Sequence, residues 1–191
     1  RAPTAGANVT ASQTPGDVTV DVVFPVDGQT LPRDHAQALQ QALCAQMPWL
    51  GTETLAGVQP IKLVPGGDEP ALLSRRARLL LRVGAQRMDE LMALAGLDLS
   101  VDGHRLRLGA PHRRELQPHA TLYAYKVAAD SADEVAFMAT VRRELDTLGI
   151  GGERVCGKRQ RMVISGRVLD TFSLMLHALP EEQSLRLQRC G

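Results

Sequence analysis

The chain has 191 residues, enough for one large or two small domains, and 44% of them are hydrophobic, an ordinary globular fraction. Its 22 basic and 21 acidic side chains leave a formal charge of +1, which places it in neither a strongly acidic nor a strongly basic class, and no apolar run approaches the ~20 residues of a membrane span. Three cysteines (Cys44, Cys156, Cys190) are an odd number without metal-ligand spacing, and no secretory signal is read, so a reduced, cytoplasmic setting is expected.

Residues 1–16 are Ala, Thr, Gly, Pro and Ser without periodicity and are expected to be a disordered arm. The β-branched run Val18 to Phe24 predicts a strand, turned at Asp27-Gly28. Ala36, Leu39, Leu43, Met47 and Leu50 recur at three and four and predict a helix that opens with Pro32 in its first turn and stops at Pro48. His35 then falls in the first turn, where a neutral imidazole suits a general base; a plain surface histidine fits the same spacing. Val58 to Val64 reads as a short strand interrupted at Pro60. Leu72 to Gly84 reads as one strand, with Ala77, Leu79, Leu81 and Val83 inward and Arg76, Arg78 and Arg82 outward. Gln86 to Ala95 reads as a short helix closed by Gly96, and Leu97 to Leu108 as a strand pair folded at Asp102-Gly103.

Residues 110–120 carry Pro111 and Pro118 without periodicity and predict a linker. The order then begins again. Thr121 to Ala128 is a strand. Ser131 and Glu134 form a capping box, and the helix after it buries Phe137, Met138, Val141, Leu145 and Leu148. Two strands, Val155 to Ile164 and Arg167 to Leu179, meet at Ser165-Gly166, and Pro180 opens a last helix. Strand-helix-strand-strand-helix-strand, read twice, predicts an α+β chain of tandem ferredoxin-like (RRM-like) domains, the second lacking its last strand. The divisions expected are 17–109, a linker at 110–120, and 121–191.

Of the 22 basic residues 19 are arginine, and three windows hold no acid: 70–88, 103–114 and 154–169. They contain fourteen of the 22. Such segregation on a near-neutral chain suits a polyanion partner.

Several segments, in this order and spacing, carry a likeness: Phe24-Pro25-Val26-Asp27-Gly28, Leu31-Pro32-Arg33-Asp34-His35-Ala36, Leu73-Ser74-Arg75-Arg76, Gly103-His104-Arg105-Leu106-Arg107-Leu108-Gly109, Pro118-His119-Ala120-Thr121-Leu122-Tyr123-Ala124 and Asp170-Thr171-Phe172-Ser173-Leu174-Met175-Leu176. From Val18 to Gly191 the chain resembles the CRISPR-associated endoribonucleases of the RAMP superfamily that cut repeat RNA into guides. The resemblance implies a metal-independent ribonuclease without cofactor. It would bind the repeat hairpin, cleave on its 3′ side, leave a 2′,3′-cyclic phosphate and a 5′-hydroxyl, and stay on the hairpin within a multi-protein effector complex away from membranes. It also implies a catalytic histidine near the start of the first helix, which matches His35. The family's glycine-rich loop and final strand have no counterpart before Cys190-Gly191.

In-line attack by a ribose 2′-hydroxyl requires a base, an acid for the departing 5′-oxygen, and cations near the phosphate. The RNA supplies the nucleophile, and Asp21, Asp27 and Asp34 have no metal-binding spacing. Ser74 and Arg75, at the entry to the third strand, are expected beside His35. Arg76, Arg78, Arg105, Arg107, Arg113, Arg114, Gln117, Arg142, Arg143, Lys158, Arg159 and Arg161 are expected to contact RNA, although Arg142 has an alternative partner in Asp146. His104, His112 and His119 read as surface or RNA-contacting, and His177 as a core residue. Two other readings stand beside the nuclease: a non-catalytic RNA-binding subunit of an effector complex, and a small-molecule or regulatory protein.

Overall fold

The computed structural model describes residues 18–164 and 166–190, so the expected arm at 1–16 lies outside the described residues. The first half is built on β1 (Thr19–Asp27), whose run of valines around Phe24 is buried on both faces. It is followed by β2 (Thr30–Leu31), α1 (Ala36–Gln46), β3 (Gly57–Gln59), β4 (Ala71–Leu72), β5 (Arg78–Gly84), α2 (Met88–Met92), β6 (Asp98–Val101) and β7 (His104–Leu108). The main sheet runs β3-β5-β1-β7-β6 and β2 pairs separately with β4, all antiparallel. Leu39 and Leu43 of α1 and Leu91 of α2 pack with Val20, Val22, Phe24, Leu79, Leu81 and Leu106 in one core.

The second half has its own sheet. It contains β9 (Leu122–Ala129), α3 (Glu134–Thr147), β10 (Glu153–Ile164), β11 (Arg167–His177) and α4 (Glu181–Arg189), with strand order β10-β11-β9. Its core joins Phe137, Val141 and Leu145 of α3 to Phe172, Leu174 and Leu176 of β11, with the Phe137 and Phe172 rings stacked at 4.7 Å. The architecture is α+β with two ferredoxin-like units, and no strand follows α4 among the described residues.

Several local expectations change. Pro32 precedes α1, and His35 is its N-cap without a side-chain cap bond. The strand expected over 58–64 is three residues long, because Pro60 has no N–H for the ladder. The long strand expected over 72–84 is divided: β4 ends at Leu72, Ala77 N–H returns to Ser74 O at 2.9 Å, and β5 starts only at Arg78. The helix expected over 86–95 is a 3-10 turn, Ala85–Arg87, followed by five α-helical residues. The stretch 110–120 contains β8 (His112–Glu115), which pairs with β1 at Val20 to Val23. The cap of α3 is Asp133, whose carboxylate accepts Val135 N–H at 2.9 Å, while Ser131 Oγ accepts Asp133 N–H. The β6–β7 turn is as expected, with Asp102 and Gly103 both left-handed (φ 49 and 80).

Candidate nucleic-acid interface

His35 sits where β2 hands over to α1, and it is 2% exposed. Its Nδ1 lies 2.8 Å from Pro32 O, and its Nε2 accepts Ile61 N–H at 3.0 Å. Accepting at Nε2 places the ring proton on Nδ1, where it is donated to Pro32 O. Both nitrogens are thus engaged with backbone across 26 residues of chain. His35 does not line the cleft that holds Ser74 and Arg75.

That cleft, of about 450 Å³, lies at the end of β1. Its lining includes Asp27, Ser74, Arg75, Arg78 and Arg107. A second cleft of about 490 Å³ continues from it through Asp27, Gly28 and Arg107 to Thr30, His104 and Arg105. Gly28 suits the junction, because a Cβ there would lie 2.8 Å from Arg105 O. His104 is half-buried, and its Nδ1 is 2.9 Å from Thr30 Oγ1. Ser74 Oγ accepts Arg76 N–H at 3.1 Å, which turns the chain so that Arg75 and Arg76 are both exposed. On the other side of that turn Arg76, Arg78, Arg114 and Lys62 line a groove over the open face of β5.

The acid-free windows of the sequence are not acid-free in space. Asp21, 4% exposed, pairs with Arg82 and Arg114, both at 2.9 Å. Asp98 pairs with Arg105 at 2.9 Å and Arg107 at 3.6 Å, and the hydrogen bond from Arg105 holds its carboxyl below the usual range. Arg113 pairs with Glu115, Arg143 with Glu144, and both Arg159 and Arg161 with Asp170. Asp146 takes Arg154 rather than Arg142. Among the described residues Arg75, Arg76, Arg78, Arg142 and Lys158 have no acidic partner. Gln117 offers its backbone carbonyl to Gln188 Nε2 at 2.9 Å, on the α4 side of the molecule. Three of these, Arg75, Arg76 and Arg78, stand together at the Ser74 turn.

A third feature joins the two halves. Asp34, Gln37 and Gln40 at the start of α1 face Lys126 of β9 and Arg161 and Met162 of β10 across a groove of about 510 Å³. His35 stands in the chain between two lining residues of this groove, Asp34 and Ala36, but does not itself line it. No three His, Cys, Asp or Glu side chains among the described residues meet as metal ligands, and no described helix is long and apolar enough to cross a membrane.

The Cas6 Crispr family model matches residues 20–191. The chain belongs to the Cas6 family. It is 37% identical over 175 residues to a CRISPR-associated endonuclease Cas6 of Myxococcus xanthus (strain DK1622), covering 91% of this chain and 76% of that one. Two solved structures share the fold. One, titled CRISPR associated protein Cas6, has a TM-score of 0.58 at 9% identity and covers 91% of this chain and 93% of its own. The other, titled an RAMP protein binding different RNA substrates, has a TM-score of 0.50 at 10% identity and covers 87% and 90%.

Two features of this Cas6 fold leave no mark in the local sequence. Lys126 reaches the α1 groove from 91 residues beyond His35, and no local pattern marks such a meeting. The pairing of Asp21 with Arg114 spans 93 residues and draws an arginine of the second window out of the free set.

Proposed function

We propose that this Cas6-family chain binds the repeat hairpin of precursor CRISPR RNA and cuts it into guides, using the 2′-hydroxyl of the RNA as nucleophile and no metal. The observation that carries this reading is the 37% identity to a Cas6 endonuclease over 91% of the chain. In the reaction the 2′-oxygen loses its proton to a base and attacks the adjacent phosphorus. The 5′-oxygen leaves with a proton, and a 2′,3′-cyclic phosphate and a 5′-hydroxyl remain. The proton shuttle assigned here is His35. In the resting arrangement its ring is held by Pro32 and Ile61; RNA seated between Asp34 and Lys126 draws it out by exchanging one backbone hydrogen bond for one to the scissile group. The exchange costs about 1–3 kcal/mol, small beside the phosphate contacts that offset it. Ser74 and Arg75 act at the neighbouring cleft, where the guanidinium stabilises phosphate charge.

The RNA-binding set follows from the same geometry. Arg76, Arg78 and Arg142 have no acidic partner among the described residues and meet phosphates directly, whereas Arg105, Arg107, Arg113, Arg114, Arg143, Arg159 and Arg161 exchange a carboxylate for a phosphate. The two sheets with separate cores support two domains joined across 110–120; in this reading the chain stays on the cleaved hairpin and joins other subunits of a cytoplasmic effector complex. A second reading, a non-catalytic RNA-binding subunit, is favoured by one observation: both ring nitrogens of His35 are occupied. Incubating labelled repeat RNA with the protein in EDTA tests the proposal. Cleavage to a cyclic-phosphate end is expected, and binding without cleavage selects the second reading.

A further inference from the structure

The chain has only two tyrosines, and both lie exposed on β9: Tyr123 is 51% and Tyr125 75% accessible. Their rings meet edge to face with centroids 4.5 Å apart. The strand register fixes which face they occupy. Tyr123 stands opposite Met175, and Met175 opposite Val155, so these three form a row across the sheet. The next row, Ala124, Leu174 and Cys156, points the other way, with Leu174 in the core under α3. The tyrosine face is therefore the one away from the helices, and Val155 extends it as a further exposed apolar side chain.

Cations border this face. The β9–β11 and β10–β11 ladders both slip opposite Ser173. On β9 the gap holds Tyr125 and Lys126; on β10 it holds Gly157 and Lys158. Gly157 packs against Ser173, since a Cβ on it would overlap the serine hydroxyl. The paired bulges put Lys126 next to Tyr125 on β9 and Lys158 at the same level on β10, two strands across, and neither lysine has an acidic partner among the described residues. Exposed aromatic faces beside lysines on an open sheet match one chemistry above others: unpaired nucleotides, whose bases stack on the rings while the backbone meets the cations.

We propose that Tyr123 and Tyr125, with Lys126 and Lys158, form a stacking platform for single-stranded RNA, distinct from the Ser74–Arg78 surface. This extends the RNA-processing reading by giving the unpaired nucleotides that flank the hairpin a seat of their own. A Tyr–Tyr pair held edge to face presents one ring with its orientation already fixed, so little side-chain freedom is lost on binding.

The test uses a probe without a hairpin, so that it is independent of cleavage. A fluorescent ten-nucleotide oligoadenylate is titrated at low salt with wild type, Tyr123→Ala/Tyr125→Ala and Tyr123→Phe/Tyr125→Phe, and a backbone-matched abasic oligomer with wild type. The Ala pair should weaken oligoadenylate binding about tenfold, the ratio for losing one good stack. The Phe pair should bind as wild type, which also controls for folding, and the abasic oligomer should bind wild type as weakly as oligoadenylate binds the Ala pair. Equal affinity of wild type and the Ala pair, or undiminished binding of the abasic oligomer, overturns the platform and assigns the apolar face to a protein partner. Oligoadenylate binding of this pattern by a protein that fails to cleave repeat RNA would leave the platform standing and remove the nuclease reading alone.

Discussion

The imidazole Nε2 of His35 accepts the backbone N–H of Ile61 at 3.0 Å, and this bond ties the start of α1 to the loop after β3. A histidine placed by the first helix as a candidate catalyst is at the same time a buried brace. The two roles make different demands, and each has its own measurement.

The brace predicts a stability cost. His35→Ala leaves Ile61 N–H without an acceptor and Pro32 O without its donor in a site 2% exposed. An unmet buried group costs about 1–3 kcal/mol. Urea unfolding should show a loss of that order, and an unchanged midpoint would mean the ring is not held as described.

Asp21 is the most deeply buried of the carboxylates in ion pairs, held between Arg82 of β5 and Arg114 of β8, and Arg82 also donates to Gln188 O of α4 at 3.3 Å. Removing one partner of a buried pair leaves an uncompensated charge, but both arginines retain some solvent access, so about 1–3 kcal/mol is expected rather than more. Asp21→Ala should lower the unfolding midpoint accordingly. A neutral result would show that β8 and α4 are not secured through this carboxylate.

Much of the architecture was readable because periodicity is local. Ala36 to Met47 and Phe137 to Leu148 alternate at helical spacing, and Asp102-Gly103 names its own turn. What the chain order hides is pairing at distance. The strand at His112–Glu115 has no alternation of its own, all four residues being exposed, and exists because β1 offers an unfilled edge at Val20 to Val23. The break at Ser74 arises because Leu72 pairs with Thr30, which the continuous pattern from Leu72 to Gly84 conceals. Tertiary contact likewise decides the site. The acid-free windows mark where the basic side chains cluster, yet Asp98 and Asp170 just outside two of those windows, and Asp21 far off in sequence, cap many of those arginines.

That capping separates the arginines experimentally. Arg75→Gln and Arg76→Gln remove cations without acidic partners, and each should weaken hairpin binding and reduce the slope of log K against log salt by about 0.7–0.9. Arg105→Gln and Arg113→Gln remove charges already paired with Asp98 and Glu115, and should act less. Filter binding from low to moderate salt checks this, and equal effects at all four positions would contradict the distinction.

Burial pushes the Cys156 thiol up, whereas Cys190 is exposed. A raised thiol has less thiolate at pH 8 and alkylates more slowly. Iodoacetamide labelling followed by peptide mass spectrometry should therefore find Cys190 modified well before Cys156. The reverse order would contradict the placement of Cys156 against the second core.

In the proposed reaction His35 moves the proton. The most direct measurement is single-turnover cleavage of a radiolabelled repeat hairpin in EDTA, at saturating protein and at a temperature where the His35→Ala variant is folded. His35→Ala should bind the hairpin nearly as wild type, since phosphates dominate the contact, and cut it at least ~10²-fold more slowly. His104→Ala, which alters the histidine of the arginine-lined cleft, should cut within a few-fold of wild type. Equal rates for wild type and His35→Ala, or the large loss appearing in His104→Ala instead, would contradict it.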